Sequence, residues 1–371
     1  MTSPLVPAPQ RILVVAPSRY PIREPHAGGL EAMVWDRVRR LRAAGHDVTL
    51  VAARGSDFLD RTPRRLRMPP ASWGGAAASD ETYPAGYLDA VDMRHRRLLD
   101  HLREHRHDYD LVENHSLHPM PVLGSGEHGI PMVTTLHTPP LPELVAVAPH
   151  AGARHSYLAV SAHTASRWRE HGVAATVRPN PVDPHAWPLG AGGPGLVWFG
   201  RIVPEKGPHL AIDAATILQR PITVAGRVGD ADYFAREVAP RASAHVTILG
   251  ALRRQRLADL VGESGCALVT PRWDEPFGLV LAEALMTGTP VAAFARGGVP
   301  EVLDGLPGAR LVVPDDVVGL AAAAEELLAT TPDERERIRE HALRRFASLD
   351  MGLGDLVALA RERSQAPAAP A

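Results

Sequence analysis

Short apolar runs alternate with amphipathic segments along almost the whole of this 371-residue chain. In the first half, an apolar run at 11–16 precedes a segment at 30–44 with helical spacing, and another apolar run follows at 46–53. Such runs indicate buried strands, and the spacing between them indicates a helix. A strand, a helix and a strand in this order predict a parallel sheet covered by helices, because parallel neighbours need a crossover connection.

The alternation occurs twice. It breaks at 178–194, a stretch rich in proline and glycine, and resumes with an apolar run at 196–199. Proline and glycine in such density are typical of a linker. We therefore expect an α/β protein of two Rossmann-like, doubly wound domains, at 1–185 and 186–347, facing a central cleft. Ligands bind such sheets at the carboxyl ends of their strands, so we expect the site in that cleft.

Composition excludes several classes of function. The 40 basic and 42 acidic residues nearly cancel, which argues against nucleic acid as the main partner. The single cysteine, Cys266, lies in an apolar run and is expected to be a core residue of a strand. The apolar runs are too short for a transmembrane segment, and the first residues do not resemble a signal peptide. We therefore expect a cytoplasmic protein whose ends, 1–10 and 364–371, are disordered.

The stretch 273–283 carries two carboxylates, Glu275 and Glu283, with seven residues between them. Pro276 suits the first position of a helix, and the apolar spacing predicts a helix over 277–287. At about 100° per residue, the two carboxylates fall on similar faces of that helix. Its start is expected to be an anion site formed by the free N–H groups of Phe277, Gly278 and Leu279. Either glutamate alone is better explained by dipole compensation or solvation.

The order of the whole string decides between these interpretations. Glu-Pro-Phe-Gly at 275–278, Gly-Thr-Pro-Val at 288–291 and Gly-Gly-Val-Pro-Glu at 297–301 resemble the donor-site signature of family 4 glycosyltransferases. These are retaining enzymes with the GT-B fold. The resemblance covers nearly the whole chain and is strongest at 196–303. It implies a further helix at about 348–364 that crosses back to the first domain.

The loop after the strand at 196–199 offers two cations, Arg201 and Lys206. A forked guanidinium and a mobile ammonium together suit a diphosphate, whose charge grows as a nucleotide departs. A solvated surface pair is the other interpretation. The string resembles the Gly-Arg…Lys-Gly motif of the same family, which favours the site.

Two features of the first half are also candidates. Gly28-Gly29 lies between the first strand and helix, where a glycine backbone can approach a ligand, and the resemblance gives Gly29 to the donor diphosphate. His137 ends the strand at 132–136, and the family has a histidine at that place near the donor sugar. His115 and His118 are weaker candidates for lining an acceptor pocket. A structural role is the alternative for each.

The resemblance implies a division of roles. Glu283 would bind the ribose hydroxyls and Glu275 the donor sugar, with Glu275, His137, Arg201 and Lys206 forming the catalytic group. The diphosphate would be held by Gly29, Arg201, Lys206 and the backbone of 277–279. In the family the leaving phosphate takes the acceptor proton, so no protein nucleophile is required.

We expect no cofactor and no metal, the nucleotide sugar being a co-substrate. Asp108-Tyr109-Asp110 and Asp230-Ala231-Asp232 fit a short metal-binding pattern, but we interpret both as structural. A UDP-sugar is favoured over a GDP-sugar as donor. The acceptor, a small molecule or a cell-surface glycan, and the oligomeric state stay open.

Three other functions fit parts of the pattern. A nucleotide-sugar epimerase of the GT-B fold would act without an acceptor. A non-catalytic nucleotide-sugar-binding module would not need Glu275, Arg201, Lys206 and His137 together. An oxidoreductase is disfavoured because the glycines at 28–29 do not form the dinucleotide fingerprint.

Overall fold

The computed structural model describes residues 9–73, 80 and 82–347. The first half contains six strands: β1 Arg11–Val15, β2 Asp47–Val51, β3 Leu111–Asn114, β4 Met132–Leu136, β5 His155–Ala159 and β6 Thr176–Val177. Its helices are α1 Gly29–Ala43, α2 Tyr87–Glu104, α3 Pro119–Leu123, α4 Ser125–His128, α5 Pro142–Val147 and α6 Ala162–Arg169.

The second half repeats this plan. Its strands are β7 Leu196–Phe199, β8 Ile222–Ala225, β9 Val246–Leu249, β10 Cys266–Val269, β11 Val291–Phe294 and β12 Ala309–Val312. Its helices are α7 Pro208–Leu218, α8 Ala231–Tyr233, α9 Arg254–Gly262, α10 Leu279–Met286, α11 Val299–Leu303, α12 Val317–Leu328 and α13 Pro332–Phe346.

Both sheets are parallel and six-stranded, with the orders β2-β1-β3-β4-β5-β6 and β12-β11-β10-β7-β8-β9. In each sheet the chain builds outward from its first strand and then returns to that strand's other side. The switch points are therefore between β1 and β3 and between β7 and β10. The prediction of two doubly wound α/β halves is confirmed, and each switch point opens a crevice at the strand ends.

The core covers both faces of each sheet. One cluster in the second half lies between the sheet and α10 and α13, and another lies under α7 and α12. Cys266 is fully buried in β10, as predicted, and burial raises the pKa of its thiol to about 12. The purely apolar strands are thus explained by helices on both sides.

The two halves touch beside the motif at 273–283. Ser161 Oγ donates to the carbonyl oxygen of Pro276 at 2.6 Å, and it also accepts from Thr164 N as the N-cap of α6. Glu301 accepts from the backbone N–H groups of Ala162 and His163 at 2.8 and 3.1 Å. Ser161 therefore caps α6, and its hydroxyl also joins the halves.

One helix boundary predicted from the sequence is wrong. α10 begins at Leu279, and Gly278 precedes it with φ 77° and ψ 67°, a left-handed conformation. Pro276 therefore does not occupy the first helical position, and the chain runs on as a loop through Phe277. Only Gly takes this conformation readily, so Gly278 delays the helix that Pro276 and the apolar spacing predict.

The remaining differences between prediction and structure concern short helices. The sequence does not predict five helices, because each is too short to show a clear helical periodicity: α3, α4, α5, α8 and α11. In the Arg-rich stretch at 61–67, Arg61 pairs with Asp47 and Arg67 donates to two backbone carbonyl oxygens. Most of the predicted disordered ends, and the helix expected at 348–364, lie outside the described residues.

Candidate active site in the cleft

The two switch points face each other across a cleft of about 1590 Å³. Loops after β1, β3 and β4 line one side, and loops after β7 and β10 line the other. The structure brings eight of the nine predicted site residues into this one space: Gly29, His137, Arg201, Lys206, Glu275, Phe277, Gly278 and Leu279. The ninth, Glu283, lines an adjoining cavity of about 740 Å³ that shares Gly29, Arg201 and Leu279 with the cleft.

Glu275 is only 7% exposed and is held from three directions. Its Oε2 accepts from Lys206 Nζ at 2.5 Å and from Trp273 Nε1 at 2.8 Å. Its backbone carbonyl accepts from Gly298 N at 2.7 Å. A Cβ at Gly297 would lie 2.4 Å from Glu275 N, so this neighbour must be glycine. The Gly-Gly pair at 297–298 therefore serves to seat Glu275.

Lys206 comes from the short 3-10 turn Pro204–Lys206. Its ammonium lies 5.1 Å from the centre of the Trp273 ring, within the range of a cation–π contact. Thr270 Oγ1 donates to the Lys206 carbonyl at 3.0 Å, which fixes the turn to the end of β10. The ion pair with Glu275 leaves the Lys206 side chain partly open to the cleft.

Arg201 and Arg227 converge on Asp80, a residue of the first half. Arg201 Nη1 lies 2.7 Å from Asp80 Oδ2, and Arg227 Nη2 lies 2.7 and 2.8 Å from the two carboxylate oxygens. Tyr20 Oη also donates to Asp80 at 2.7 Å. Burial alone would raise the pKa of Asp80, but these partners lower it. The cluster shows that this part of the cleft is built to surround an anion.

The start of α1 lies against these cations. Gly28 is its N-cap, and a Cβ there would lie 3.2 Å from Arg201 Cδ, while one at Gly29 would lie 3.5 Å from Leu279. Glu31, in the first turn, is buried, and burial raises its pKa although Arg201 and Arg227 oppose the rise. Gly29 was predicted from the sequence to line the site, whereas Glu31 was not.

Glu283 faces the adjoining cavity from α10. The walls of this cavity include the apolar residues Trp187, Phe199 and Leu252, together with Arg254. Burial raises the pKa of Glu283 to about 8, with Arg254 working against the rise. A largely apolar cavity with one carboxyl suits a base and its ribose, and Arg201 and Arg227 also line it.

Phe277 was predicted to contribute a backbone N–H group, and its side chain belongs to the core. Its side chain is buried and packs edge-on against Phe346, with ring centres 6.3 Å apart. What it offers the cleft is backbone beside Glu275. The free N–H groups expected at 277–279 move with the helix boundary, so the first helical amide is that of Leu279.

His137 follows β4 and lies at the floor of the cleft. Its Nε2 is 2.9 Å from Nδ1 of His115, and burial followed by the nearness of His115 lowers its pKa well below the usual value. The imidazole is therefore neutral. His118 also lines the cleft and pairs with Asp92 at 2.9 Å, whereas His115 lies behind His137 and does not line the cleft.

The Asp-x-Asp sequences have structural partners. Asp110 pairs with Arg11, and Asp230 caps α8 by accepting from Tyr233 N at 2.8 Å. Within residues 9–73, 80 and 82–347, no group of three or more His, Cys, Asp or Glu side chains could hold a metal ion. In the same part of the chain, no helix combines the length and apolarity that membrane crossing requires.

Comparison with protein families matches both halves. The description "Glycosyltransferase Family 4" matches residues 27–186, and "Glycosyl transferases group 1" matches residues 186–345. The two matches meet in the linker and together cover every strand except β1.

Curated relatives match over part of their length. The chain is 33% identical over 187 residues to a glycogen synthase of Mycobacterium tuberculosis, covering 47% of this chain and 45% of the relative. It is 35% identical over 161 residues to a D-inositol 3-phosphate glycosyltransferase of Mycobacterium bovis, covering 41% of this chain and 33% of that relative. The chain thus spans less than half the length of either relative.

Solved structures match over nearly the whole chain. A sucrose-phosphate synthase from Thermosynechococcus elongatus has a TM-score of 0.73 at 18% identity, covering 96% of this chain and 100% of its own. The Anabaena protein HepE, in complex with UDP and glucose, has a TM-score of 0.68 at 19% identity, covering 96% and 98%. A glycosyltransferase involved in avilamycin A biosynthesis has a TM-score of 0.67 at 23% identity, covering 96% and 99%. At these identities the likeness shows that the fold is shared.

Proposed function

Because this chain belongs to the GT4-type glycosyltransferases of the GT-B fold, we propose that it transfers a hexose-type sugar from a nucleoside-diphosphate sugar to a hydroxyl group of an acceptor. Transfer retains the anomeric configuration and needs no metal. UDP-sugars are the favoured donors, GDP-sugars the next. The acceptor is a small molecule or a cell-surface glycan.

The observation that carries this proposal is the arrangement of charge along the cleft. Arg201 and Arg227 surround a carboxylate at 2.7–2.8 Å, and Lys206 lines the same cleft, paired with Glu275. Glu283 lines the adjoining cavity. A base and ribose at Glu283, a diphosphate at the arginines and a sugar at Glu275 would follow the order of these groups in a nucleotide sugar.

The chemistry follows from this placement. Departure of the nucleotide increases negative charge on the diphosphate, which Arg201, Arg227 and Lys206 neutralise. Glu275 accepts hydrogen bonds from hydroxyls of the donor sugar and holds the anomeric carbon towards the acceptor on the face from which the diphosphate leaves. The leaving phosphate takes the proton of the acceptor hydroxyl on the face from which it departs. Glu275 thus acts by positioning and charge, and no covalent intermediate on the protein is involved.

The remaining predicted residues complete the donor site. The backbone of Gly29 and the amide of Leu279 lie next to Arg201 and bind diphosphate oxygens. His137 faces the sugar from the first half of the chain. The carboxyl of Glu283 binds the ribose hydroxyls. Closing the two halves over the donor would exclude water, which would otherwise accept the sugar.

The first test is thermal melting of the protein with UDP, GDP, ADP, dTDP or NAD, each in EDTA. A ligand present at 100 times its Kd adds about 2.7 kcal/mol to the free energy of unfolding. We expect a clear rise in Tm with one nucleoside diphosphate, UDP first, and transfer from the corresponding sugar to an added acceptor. A rise with NAD alone would contradict the proposal, and conversion of the donor without acceptor would indicate an epimerase.

A further inference from the structure

A continuous row of buried polar side chains runs from α1 to the floor of the cleft. Arg37, in α1, donates from Nε and Nη2 to the two oxygens of Glu113 at 2.8 and 2.5 Å. His115 lies next, with Nε2 3.7 Å from Glu113 Oε2, and its Nδ1 is 2.9 Å from Nε2 of His137. His137 alone of the four lines the cleft.

The row begins at a fixed negative charge. Glu113 is 2% exposed, and burial alone would raise its pKa, but the charge and hydrogen bonds of Arg37 lower the pKa to about 2. An ionised carboxylate accepts hydrogen bonds and cannot donate them. The side of His115 that faces Glu113 therefore faces an acceptor with a full charge.

The charge selects one arrangement of protons. A separation of 3.7 Å exceeds that of a hydrogen bond, yet a proton on His115 Nε2 is attracted by the carboxylate, whereas a lone pair there is repelled. In the neutral ring with its proton on Nε2, His115 has a lone pair on Nδ1. That lone pair accepts from Nε2 of His137 across 2.9 Å. The free ring nitrogen of His137, Nδ1, is then unprotonated.

We propose that Glu113 and His115 are positioning residues that hold His137 as its Nε2–H tautomer, so that the imidazole offers the cleft a hydrogen-bond acceptor. Within the described residues, Nδ1 of His137 has no hydrogen-bond partner, and the ring shares the cleft with Lys206 and Glu275. An acceptor there suits a hydroxyl of a sugar and does not suit a phosphate oxygen. This assignment rests on the proposed function for its substrate, but not for its tautomer.

The tautomer is measured directly by NMR of ligand-free protein carrying ¹⁵N in its 18 histidines. Protonated and unprotonated ring nitrogens differ strongly in ¹⁵N shift, and loss of signals in His115→Asn and His137→Asn assigns the two rings. We expect Nε2 protonated and Nδ1 unprotonated in both rings. A protonated Nδ1 in His137 would overturn the proposal.

The positioning role is tested by removing each member of the row. In Glu113→Gln, and in His115→Asn, we expect His137 to show both tautomers or the Nδ1–H form. His115→Asn leaves the Arg37–Glu113 pair intact, so it serves if Glu113→Gln does not fold. A His137 tautomer unchanged in folded His115→Asn would show that the row has no such role.

Kinetics separate positioning from general damage. For His115→Asn we expect kcat to fall about tenfold, with Kd for UDP within about twofold of the parent value. The matched control is His128→Asn, at a buried histidine of α4 whose Nδ1 accepts from Ile130 N at 3.1 Å, outside the cleft. Equal losses in both variants would contradict the assignment. If the parent protein turned over no nucleotide sugar, the proposed function would be contradicted. The NMR measurement would still determine the tautomer of His137.

Discussion

Glu283 makes the stability of this protein depend on pH in a way that one substitution removes. Burial raises its pKa from 4.5 to about 8, so the side chain of Glu283 is a neutral carboxylic acid at pH 7. The unfolded chain releases that proton near pH 4.5, and the folded chain keeps it until about pH 8. Stability from this group is therefore fully present below about pH 4.5 and is lost as the pH rises toward 8.

The magnitude follows from the shift. Each pKa unit corresponds to about 1.36 kcal/mol, so the folded protein loses about 4 kcal/mol from this group between about pH 5 and pH 8.5. Glu283→Gln keeps the shape of the side chain and removes the titration. We expect the variant to lack this loss, so that its Tm relative to the parent rises by roughly 8 °C across the range.

The assay is thermal melting of both proteins in buffers across that range, without nucleotide. Other groups titrate equally in both proteins, and the difference between the two curves isolates Glu283. Glu263→Gln is the matched control, because Glu263 is exposed just after α9 in the same half. Parallel curves for the parent protein and Glu283→Gln would refute the reasoning that the cavity buries a neutral carboxyl.

Four further substitutions test the site. Glu283→Ala should weaken UDP binding in calorimetry, whereas Glu275→Ala should mainly lower kcat; parent rates in both variants would reject these roles. Asp80→Asn should tighten UDP binding about tenfold, because the diphosphate no longer displaces a carboxylate from the two arginines; weaker binding would mean that Asp80 prepares them for the ligand. Gly278→Ala should lower the free energy of unfolding by about 1–2 kcal/mol, since a side chain disfavours the left-handed conformation; an unchanged Tm would show that the loop adapts.

Much of the fold could be predicted because its information is local. The strands at 132–136, 196–199, 222–225 and 246–249 have the bounds that the apolar runs indicate. The linker between the sheets is marked by proline and glycine. Where a local rule failed, at the start of α10, two local preferences competed. Proline favours a helix start at 276, but a left-handed glycine at 278 postpones it.

The candidate site could be predicted only where it lies in short motifs. Glu275, Lys206 and Arg201 stand in such motifs, and the structure places them in one cleft. Asp80, by contrast, is 121 residues from Arg201 and 147 from Arg227, and no local pattern connects them. The contact between His137 and His115 likewise depends on tertiary structure and on no local pattern. His115 looks from the sequence like a lining residue, but register between β3 and β4 places it behind.

The hydrogen bond from Ser161 to the carbonyl oxygen of Pro276 lies one residue from Glu275. The two halves are therefore joined at the point where the sugar would be transferred, and Glu301 adds a second tie on the same helix start. A rotation of one half against the other that keeps these hydrogen bonds has its axis close to Glu275. Residues at the far rim of the cleft then move the most. Nucleotide could then enter and leave by a large swing while the geometry around Glu275 changes little. The pivot between the two halves would then lie at the site of sugar transfer.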